Sequence, residues 1–152
     1  MAVYKHILAA VDLGPDSKDL VRKAMAVAQD FGARLSLAHV VEYVPAEPTG
    51  EALMPPPVTL EPELQRGAER QLAELAEATG AGDAERHVVV GTIAGDLARI
   101  AAEQGADLLI AGAHERHGLL FFAGGTERSL LRHAGCDVLV VRLAAGSKGD
   151  GG

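Results

Sequence analysis

The first residue of this sequence that could take part in ligand chemistry is Asp12, which directly follows the apolar run of residues 7–11. A carboxylate in that position can accept hydrogen bonds from the hydroxyl groups of a ribose. Asp is also common at turns and helix caps, so a structural role remains open for Asp12.

A second stretch with possible ligand chemistry runs from Gly112 to Thr126 and reads Gly-Ala-His-Glu-Arg-His-Gly-Leu-Leu-Phe-Phe-Ala-Gly-Gly-Thr. Its glycines permit close approach of the backbone to a ligand. The helix predicted to start near Thr126 would offer free N–H groups and the positive end of its dipole to a phosphate. Thr126 adds a hydroxyl there, although threonine is also favoured as an ordinary N-cap.

The sequence gives less support to a metal site or to a catalytic nucleophile. His114 and His117 have no acidic or thiolate partner at a recognisable ligand spacing, which argues against a metal site built from protein ligands alone. His39 lies within an apolar run and is expected to be a satisfied histidine in or near the core. No GxSxG elbow or Walker A lysine motif occurs, and Cys136 precedes an apolar run as a packed residue would. We therefore expect no enzymatic activity, with a phosphotransferase or hydrolase as the least favoured alternative.

Asp12 and Gly112 can act together only on a scaffold that brings distant segments to one place. Nearly continuous apolar runs predict five strands, at residues 7–11, 35–41, 87–90, 107–111 and 138–141. Helical spacing of apolar residues predicts the helices between them, at 20–31, 64–79, 93–104 and 126–133. This alternation specifies an α/β fold, a doubly wound, Rossmann-like, five-stranded parallel sheet with strand order 3-2-1-4-5. The first and fourth strands are neighbours in that order, so both residues would line one crevice at the carboxyl ends of the strands.

Length and composition limit the other possibilities. The 152 residues, 48% of them hydrophobic, suffice for one domain, expected at 1–143 with a disordered tail at 144–152. The Pro-rich segment 42–62 predicts a long loop, either mobile or a functional flap. The net charge of -7 and the 3% aromatic content disfavour nucleic acid and anionic membranes as partners. A single cysteine, no export signal and no apolar run of about 18 residues predict a cytoplasmic protein.

The spacing within the second stretch is informative. Gly112, two residues, Glu115, nine residues and then Gly125-Thr126 resembles the signature Gly-x2-Gly-x9-Gly-(Ser/Thr) of the universal stress protein family, with glutamate in place of the second glycine. Residues 4–12, 37–40, 107–114 and 136–141 resemble the family's first, second, fourth and closing strands. On these motifs, which extend over residues 3–143, the chain is identified as a member of that family.

The resemblance implies a small cytoplasmic α/β protein that is induced under starvation or other stress. One branch of the family binds ATP, with Mg²⁺ held chiefly by phosphate oxygens and water, and another branch does not bind nucleotide. Family members are usually homodimers, and the resemblance places the interface on the edge strand from Val138 to Val141. A further protein partner is expected but not identified.

The nucleotide contacts of the family carry over position by position. Adenine would lie between Val11 and Val40, and the ribose would lie at Asp12. The loop positions that would surround the phosphates are Gly112, His114, Glu115, Gly125 and Thr126.

Glu115 is the main departure from the signature. A carboxylate about 4 Å from a phosphate would cost on the order of 1 to 4 kcal/mol per charge pair, and a left-handed residue other than glycine roughly 1 to 2 more. His114, Arg116 and His117 stand beside it and would offset its charge. The opening of the chain looks closer to the UspA type, the branch without nucleotide. We predict an ATP-binding stress-response module that acts as a dimer. The alternative is a UspA-type stress factor that binds protein partners without nucleotide.

Overall fold

The computed structural model describes residues 3–42, 61–116, 119–122 and 127–143, with side chains for all of these except 114–116, 119–122 and 127–129. Its helices are α1 (Ser17–Phe31), α2 (Glu61–Thr79), α3 (Ile93–Gln104) and α4 (Glu127–His133). Its strands are β1 (His6–Ala10), β2 (Arg34–Glu42), β3 (Glu85–Gly91), β4 (Leu108–Arg116), β5 (Leu119–Phe122) and β6 (Asp137–Leu143). Within these ranges no helix has the length and apolar character that crossing a bilayer requires. The predicted tail, and residues 43–60 of the predicted Pro-rich loop, lie outside the described residues.

One sheet organises the chain. Its parallel strands lie in the order β3-β2-β1-β4-β6, and β1 is central, with Ile7 paired to Leu35 on one side and to Leu108 on the other. Because β6 is the fifth parallel strand along the chain, the predicted order 3-2-1-4-5 is confirmed.

Two apolar clusters cover the two faces of the sheet, which is why its central strands are apolar throughout. Ile7 and Ala9 of β1 pack with α1 and α2, whereas Leu8 and Ala10 pack with α3 and α4. The side chains of β1 thus alternate between the two layers of helices, as strand geometry requires. The doubly wound arrangement is therefore confirmed as well.

The predicted helix boundaries follow the local signals. α1 ends at Gly32 in the left-handed conformation (φ 66°), and the N–H of Ala33 bonds to the carbonyl oxygen of Ala28 at 2.8 Å. α3 spans the predicted residues 93–104 and ends in the same way at Gly105 (φ 71°). At the start of α1 the N-cap residue is Asp16, whose side chain makes no capping hydrogen bond to the helix.

The structure differs from the sequence prediction at β4. This strand continues past residue 111 to Arg116, and β5, which was not predicted, pairs with it in antiparallel fashion. Gly112, His114 and Glu115 were predicted to lie in a loop but lie in β4. The physical reason is pairing on both edges, because β6 is in register with β4 as far as His114 and β5 pairs from Ala113 onward. Gly112 therefore does not end β4, because this part of the strand pairs with β6 on one edge and, from the next residue onward, with β5 on the other.

Candidate functional site

The carboxyl ends of β1 and β2 form one wall of a cleft, and the first turns of α3 form the other. The cleft has a volume of about 340 Å³ and is lined by residues 10–12, residues 38–42, Ile93 and Leu97. Its volume lies at the lower end of the roughly 300 to 1,000 Å³ typical of small-molecule sites. The cleft therefore lies where open α/β sheets bind ligands.

The walls of the cleft are mainly aliphatic. Val11 and Val40, which the sequence analysis assigned to adenine, both line it and are 3% and 6% exposed. Ile93 and Leu97 contribute apolar side chains from α3. Both predicted valines line the cleft, but Val11 packs in the cluster with α1 and α2 and Val40 in the cluster with α3, so their side chains lie on opposite faces of the sheet.

Asp12 lies at the rim of the cleft and also closes the turn that follows β1. Its Oδ1 accepts hydrogen bonds from the N–H of Gly14 at 2.8 Å and from the hydroxyl of Ser17 at 3.1 Å. The turn role that the sequence left open is therefore present. The predicted ribose contact stays a prediction, and the exposed position of Asp12 in the cleft lining is compatible with it.

The turn beyond Asp12 carries backbone strain. Leu13 has φ 62°, a left-handed conformation that costs a branched residue on the order of 1 to 2 kcal/mol. The carboxylate of Asp12 on one side and the Ser17 N–H, which bonds to the Gly14 carbonyl oxygen at 3.1 Å, hold the turn in this form. The rim of the cleft is thus fixed by contacts within a few residues.

His39 is a cleft residue that sequence reasoning did not assign to the site. Its Nδ1 lies 2.7 Å from the carbonyl oxygen of Val11, so Nδ1 carries the proton and donates. The half-buried ring also lines the cleft. The prediction that His39 is a satisfied histidine near the core is confirmed. In the sequence, the position of His39 next to Val40, near the end of β2, is the signal that could have assigned it to the cleft.

The β4–β5 hairpin occupies the position directly beyond the carboxyl end of β1. β6 takes one edge of β4 as far as His114, so β5, paired from Ala113 to Arg116, must use the opposite edge. That edge carries β1 between Leu108 and Ile110. The backbone of β5 therefore runs along the same edge of β4 as β1, beyond the carboxyl end of β1.

The predicted phosphate residues are only partly described. Gly112 packs under β6, because a Cβ built on it would lie 2.7 Å from Cδ1 of Leu143. His114 and Glu115 pair with Phe121 and Leu120 through their backbones. The predicted positions Gly125 and Thr126 lie outside the described residues.

The charge of the cleft lining is negative. The described residues that line it include the carboxylates of Asp12 and Glu42 but no lysine or arginine. Sequence reasoning missed Glu42, although it ends β2 much as Asp12 follows β1. In the part of the chain that the structure describes, no group of three His, Cys, Asp or Glu side chains is placed to hold a metal ion.

Comparisons with known proteins all lead to one family. A family model described as the universal stress protein family matches residues 3–142. Universal stress protein A homolog 1 of Coxiella burnetii is 35% identical over 138 residues, which cover 91% of this chain and 96% of the relative. A solved universal stress protein in complex with cAMP is 29% identical with a TM-score of 0.60, and the match covers 93% of this chain and 98% of that one. UspA from Lactobacillus plantarum is 25% identical with a TM-score of 0.63, over 93% and 100% of the two chains.

Proposed function

Because the chain belongs to the universal stress protein family, we propose that it is a cytoplasmic, non-enzymatic stress-response module that binds an adenine nucleotide and acts as a homodimer. ATP is the ligand that the family signature suggests. The alternative function is a UspA-type stress factor that binds protein partners and leaves the cleft without nucleotide.

The observation that carries the nucleotide proposal is the cleft at the carboxyl ends of β1 and β2, where Val40 packs in one cluster with Leu97 and Ile93 of α3. Its aliphatic walls suit a purine ring, and the carboxylate of Asp12 stands at its rim as an acceptor for ribose hydroxyls. The solved relative in complex with cAMP supports a ligand that contains adenine.

The described residues offer contacts for the base and the sugar of ATP, whereas two of the predicted phosphate positions, Gly125 and Thr126, lie outside them. The hairpin lies beyond β1, the side chain of Leu143 covers Gly112, and no lysine or arginine lines the described part of the cleft. Mg²⁺, if it accompanied ATP, would be held chiefly by phosphate oxygens and water. We therefore assign no phosphate contact to any residue of the described structure.

We propose a binding function rather than a catalytic one because no catalytic motif is present in the sequence. The described lining contains no serine, cysteine or lysine. Ser36 is fully buried, lies 2.7 Å from Nε2 of His6 and is not part of the cleft lining. Burial raises the pKa of the Cys136 thiol, so little thiolate forms near neutral pH.

The dimer proposal is based on β6, which pairs with β4 and, among the described strands, with no other. Leu139 and Val140 are 38% and 39% exposed, in contrast to the buried strands at the centre of the sheet. An exposed apolar edge strand favours pairing with another chain. A second copy of this chain, related by a two-fold axis, would cover it.

The test of the nucleotide proposal is isothermal titration with adenosine, AMP and MgATP on the wild-type protein and on Ile93→Trp. The tryptophan fills the cleft without adding charge, so it should abolish saturable binding. Leu64→Trp, at an exposed position of α2, is the matched control and should bind as the wild type does. Flat heats for all three ligands with the wild-type protein would contradict the nucleotide proposal and favour the alternative.

A further inference from the structure

We propose that the outer edge of β3, which faces away from β2, is a pairing surface for the β3 strand of a second copy of this chain, and that the side chain of Gln65 keeps this edge closed. β3 pairs with β2 and, among the described strands, with no other. An edge strand of this kind presents backbone N–H and carbonyl groups to which another chain can bond. The inference concerns the assembly of the chain and does not depend on the proposed nucleotide site.

The register of the sheet determines which backbone groups of β3 point outward. The N–H of Val11 donates to the carbonyl oxygen of Ala38, so Ala38 directs its backbone groups toward β1. Successive residues of a strand direct these groups to alternate sides, so His39 directs its own toward β3. His39 is in register with Val88, and in a parallel ladder it bonds to the residues on either side of Val88. The N–H and carbonyl groups of Val88 therefore point to the outer edge.

A side chain already bonds to one of these outward groups. Nε2 of Gln65, near the start of α2, donates to the carbonyl oxygen of Val88 at 2.9 Å, and both residues are half-buried. The side-chain amide offers the same kind of N–H donor as the backbone of an added strand. Gln65 thus occupies the position of a strand partner at the middle residue of β3.

The sequence of β3 suits antiparallel pairing with its own copy about a two-fold axis at Val88. In that register Val88 lies opposite Val88 of the second copy, and Arg86 lies opposite Val90. Neither Glu85 nor Arg86 faces a like charge, and β-branched residues pair favourably across strands. The outward groups of residues 86, 88 and 90 are also those that exchange hydrogen bonds in this register. The centre of the pairing is therefore the carbonyl group to which Gln65 bonds.

A closed edge at β3 has a consequence for the assembly, because the proposed dimer uses β6 in the same sheet. A chain that paired through both β6 and β3 would form an open-ended polymer instead of a closed dimer. Gln65 would then limit the assembly to two chains. This consequence rests on the proposed dimer, whereas the pairing surface on β3 does not.

The inference is tested by sedimentation of the full chain at micromolar and near-millimolar concentrations. Gln65→Met keeps the length of the side chain but cannot donate, and Gln65→Ser stays polar but is too short to reach Val88. We expect both variants to reach at least twice the wild-type mass, with an increase as concentration rises. Gln71→Met, the same change at an exposed position of α2, is the control and should keep the wild-type mass.

Val90→Pro identifies the edge through which the variants associate. The N–H of Val90 points outward as that of Val88 does, so proline removes a donor from the outer edge without breaking a hydrogen bond to β2. Val90→Pro combined with either Gln65 variant should therefore restore the wild-type mass. Association that persists in the combined variants would place the contact elsewhere and overturn the inference.

The two Gln65 variants separate the lost hydrogen bond from other causes of association. If Gln65→Met alone associates, the added apolar surface is the cause, and the inference is overturned. Wild-type mass for both variants, with urea unfolding curves that show them folded, would overturn it as well. A wild-type monomer would remove the dimer at β6 and leave this test intact, because the Gln65 variants would then pass from monomer to dimer.

Hydrogen exchange on the wild-type protein supplies a test that requires no variant to fold. The N–H of Val89 points toward β2, whereas the N–H of Val90 points to the outer edge. We expect the amide of Val90 to exchange faster than that of Val89. Equally slow exchange at the two positions would show that the outer edge is already paired, and would overturn the inference.

Discussion

The imidazole of His39 donates a hydrogen bond from Nδ1 to the carbonyl oxygen of Val11 across a distance of 2.7 Å. The N–H of Val11 in turn donates to the carbonyl oxygen of Ala38 at 2.8 Å. The backbone N–H and the carbonyl oxygen of Val11 therefore both form hydrogen bonds to β2, just beyond the end of β1. The two strand ends that line the cleft are therefore fixed before any ligand binds, which lowers the entropic cost of binding.

Two histidine substitutions separate this role from ordinary packing. We expect His39→Phe to lower the free energy of unfolding by about 1 to 3 kcal/mol, because it leaves the Val11 carbonyl without its partner. His87→Phe should cost much less, because Nε2 of His87 has no hydrogen-bond partner among the described residues and its nearest carboxylate oxygen, on the exposed Glu85, lies 3.7 Å away. Urea unfolding of both variants under the same conditions measures the difference. Equal losses in the two variants would contradict the assigned role of His39.

Replacing glycine by alanine should have opposite effects on the free energy of unfolding at two positions, Gly112 and Gly67. Gly112→Ala should destabilise the protein by about 1 to 3 kcal/mol, because the new Cβ would lie 2.7 Å from Cδ1 of Leu143. Gly67→Ala, within α2 and with no heavy atom within 4 Å of the new Cβ, should stabilise it by about 0.5 to 1 kcal/mol.

Leu143→Ala provides the check on the packing explanation for Gly112. In the Leu143→Ala background the added methyl group has room, so Gly112→Ala should cost much less there than in the wild type. A double-mutant cycle measured by thermal or urea unfolding gives this coupling. If the cost of Gly112→Ala is the same in both backgrounds, Leu143 is not the reason for the glycine.

Local signals were enough to predict most of the scaffold. The 3.6-residue period and the terminal glycine identify α3 from Ile93 to Gln104, and an unbroken apolar run identifies β1. β4 was predicted too short because Gly112 resembles a strand end in the sequence. What keeps it in the strand is pairing with β6, some thirty residues later, which no local pattern reveals.

The candidate site was predictable to the same extent. Asp12 was found because it follows a recognisable strand, and Val11 and Val40 were found through the family resemblance. Ile93 and His39 were missed as cleft residues, since their relation to Val11 exists only after β1, β2 and α3 come together. Sequence spacing can indicate a crevice, but the side chains across it depend on how the helix layer packs.

Acid should weaken the protein through Asp107, which accepts hydrogen bonds from the N–H groups of Lys5 and His6 at 3.0 to 3.1 Å. Burial raises the pKa of Asp107, but these N–H groups more than offset it and lower the pKa below its ordinary value of 3.8. The stabilisation is therefore fully present above about pH 4 and is lost as the pH falls through the folded-state pKa.

Asp107→Asn should accordingly cost about 1 kcal/mol at pH 7 and reduce the loss of stability below pH 4. The comparison is a set of urea unfolding curves between about pH 2 and 7. Asp30→Asn, at an exposed position near the end of α1, is the control and should leave the pH profile unchanged. A profile for Asp107→Asn that parallels the wild type would show that this carboxylate does not link folding to protons.

The dimer proposal predicts that a charge on β6 separates the subunits. Val140→Lys places an ammonium on the exposed edge strand, where pairing with a second copy would bury it at high cost. Leu64→Lys makes the same change on α2 and should leave the assembly intact. Sedimentation at micromolar concentration should give twice the chain mass for the wild type and the Leu64 variant, and the chain mass for Val140→Lys. A wild-type monomer at that concentration would contradict the dimer.

The ionisation of Tyr4, followed by absorbance, reports on its contact with the first residue of β6. Its hydroxyl donates to Oδ2 of Asp137, the first residue of β6, at 2.8 Å. This hydrogen bond, with the charge of the carboxylate, raises the pKa of Tyr4 above its ordinary value of 10.0. Because the folded-state pKa is raised, the contact stabilises the protein below about pH 10, and this stabilisation is lost as the pH rises through the folded-state pKa.

The chain has two tyrosines and no tryptophan, so replacing Tyr43 leaves Tyr4 as the only tyrosine whose ionisation is observed. In a Tyr43→Phe background, absorbance near 295 nm should show ionisation above pH 10, and Asp137→Asn should move it back toward the ordinary value. Asp19→Asn, an exposed change on α1, should leave the curve in place. If Asp137→Asn does not shift the titration, the N-terminal segment is not held to β6 by this hydrogen bond.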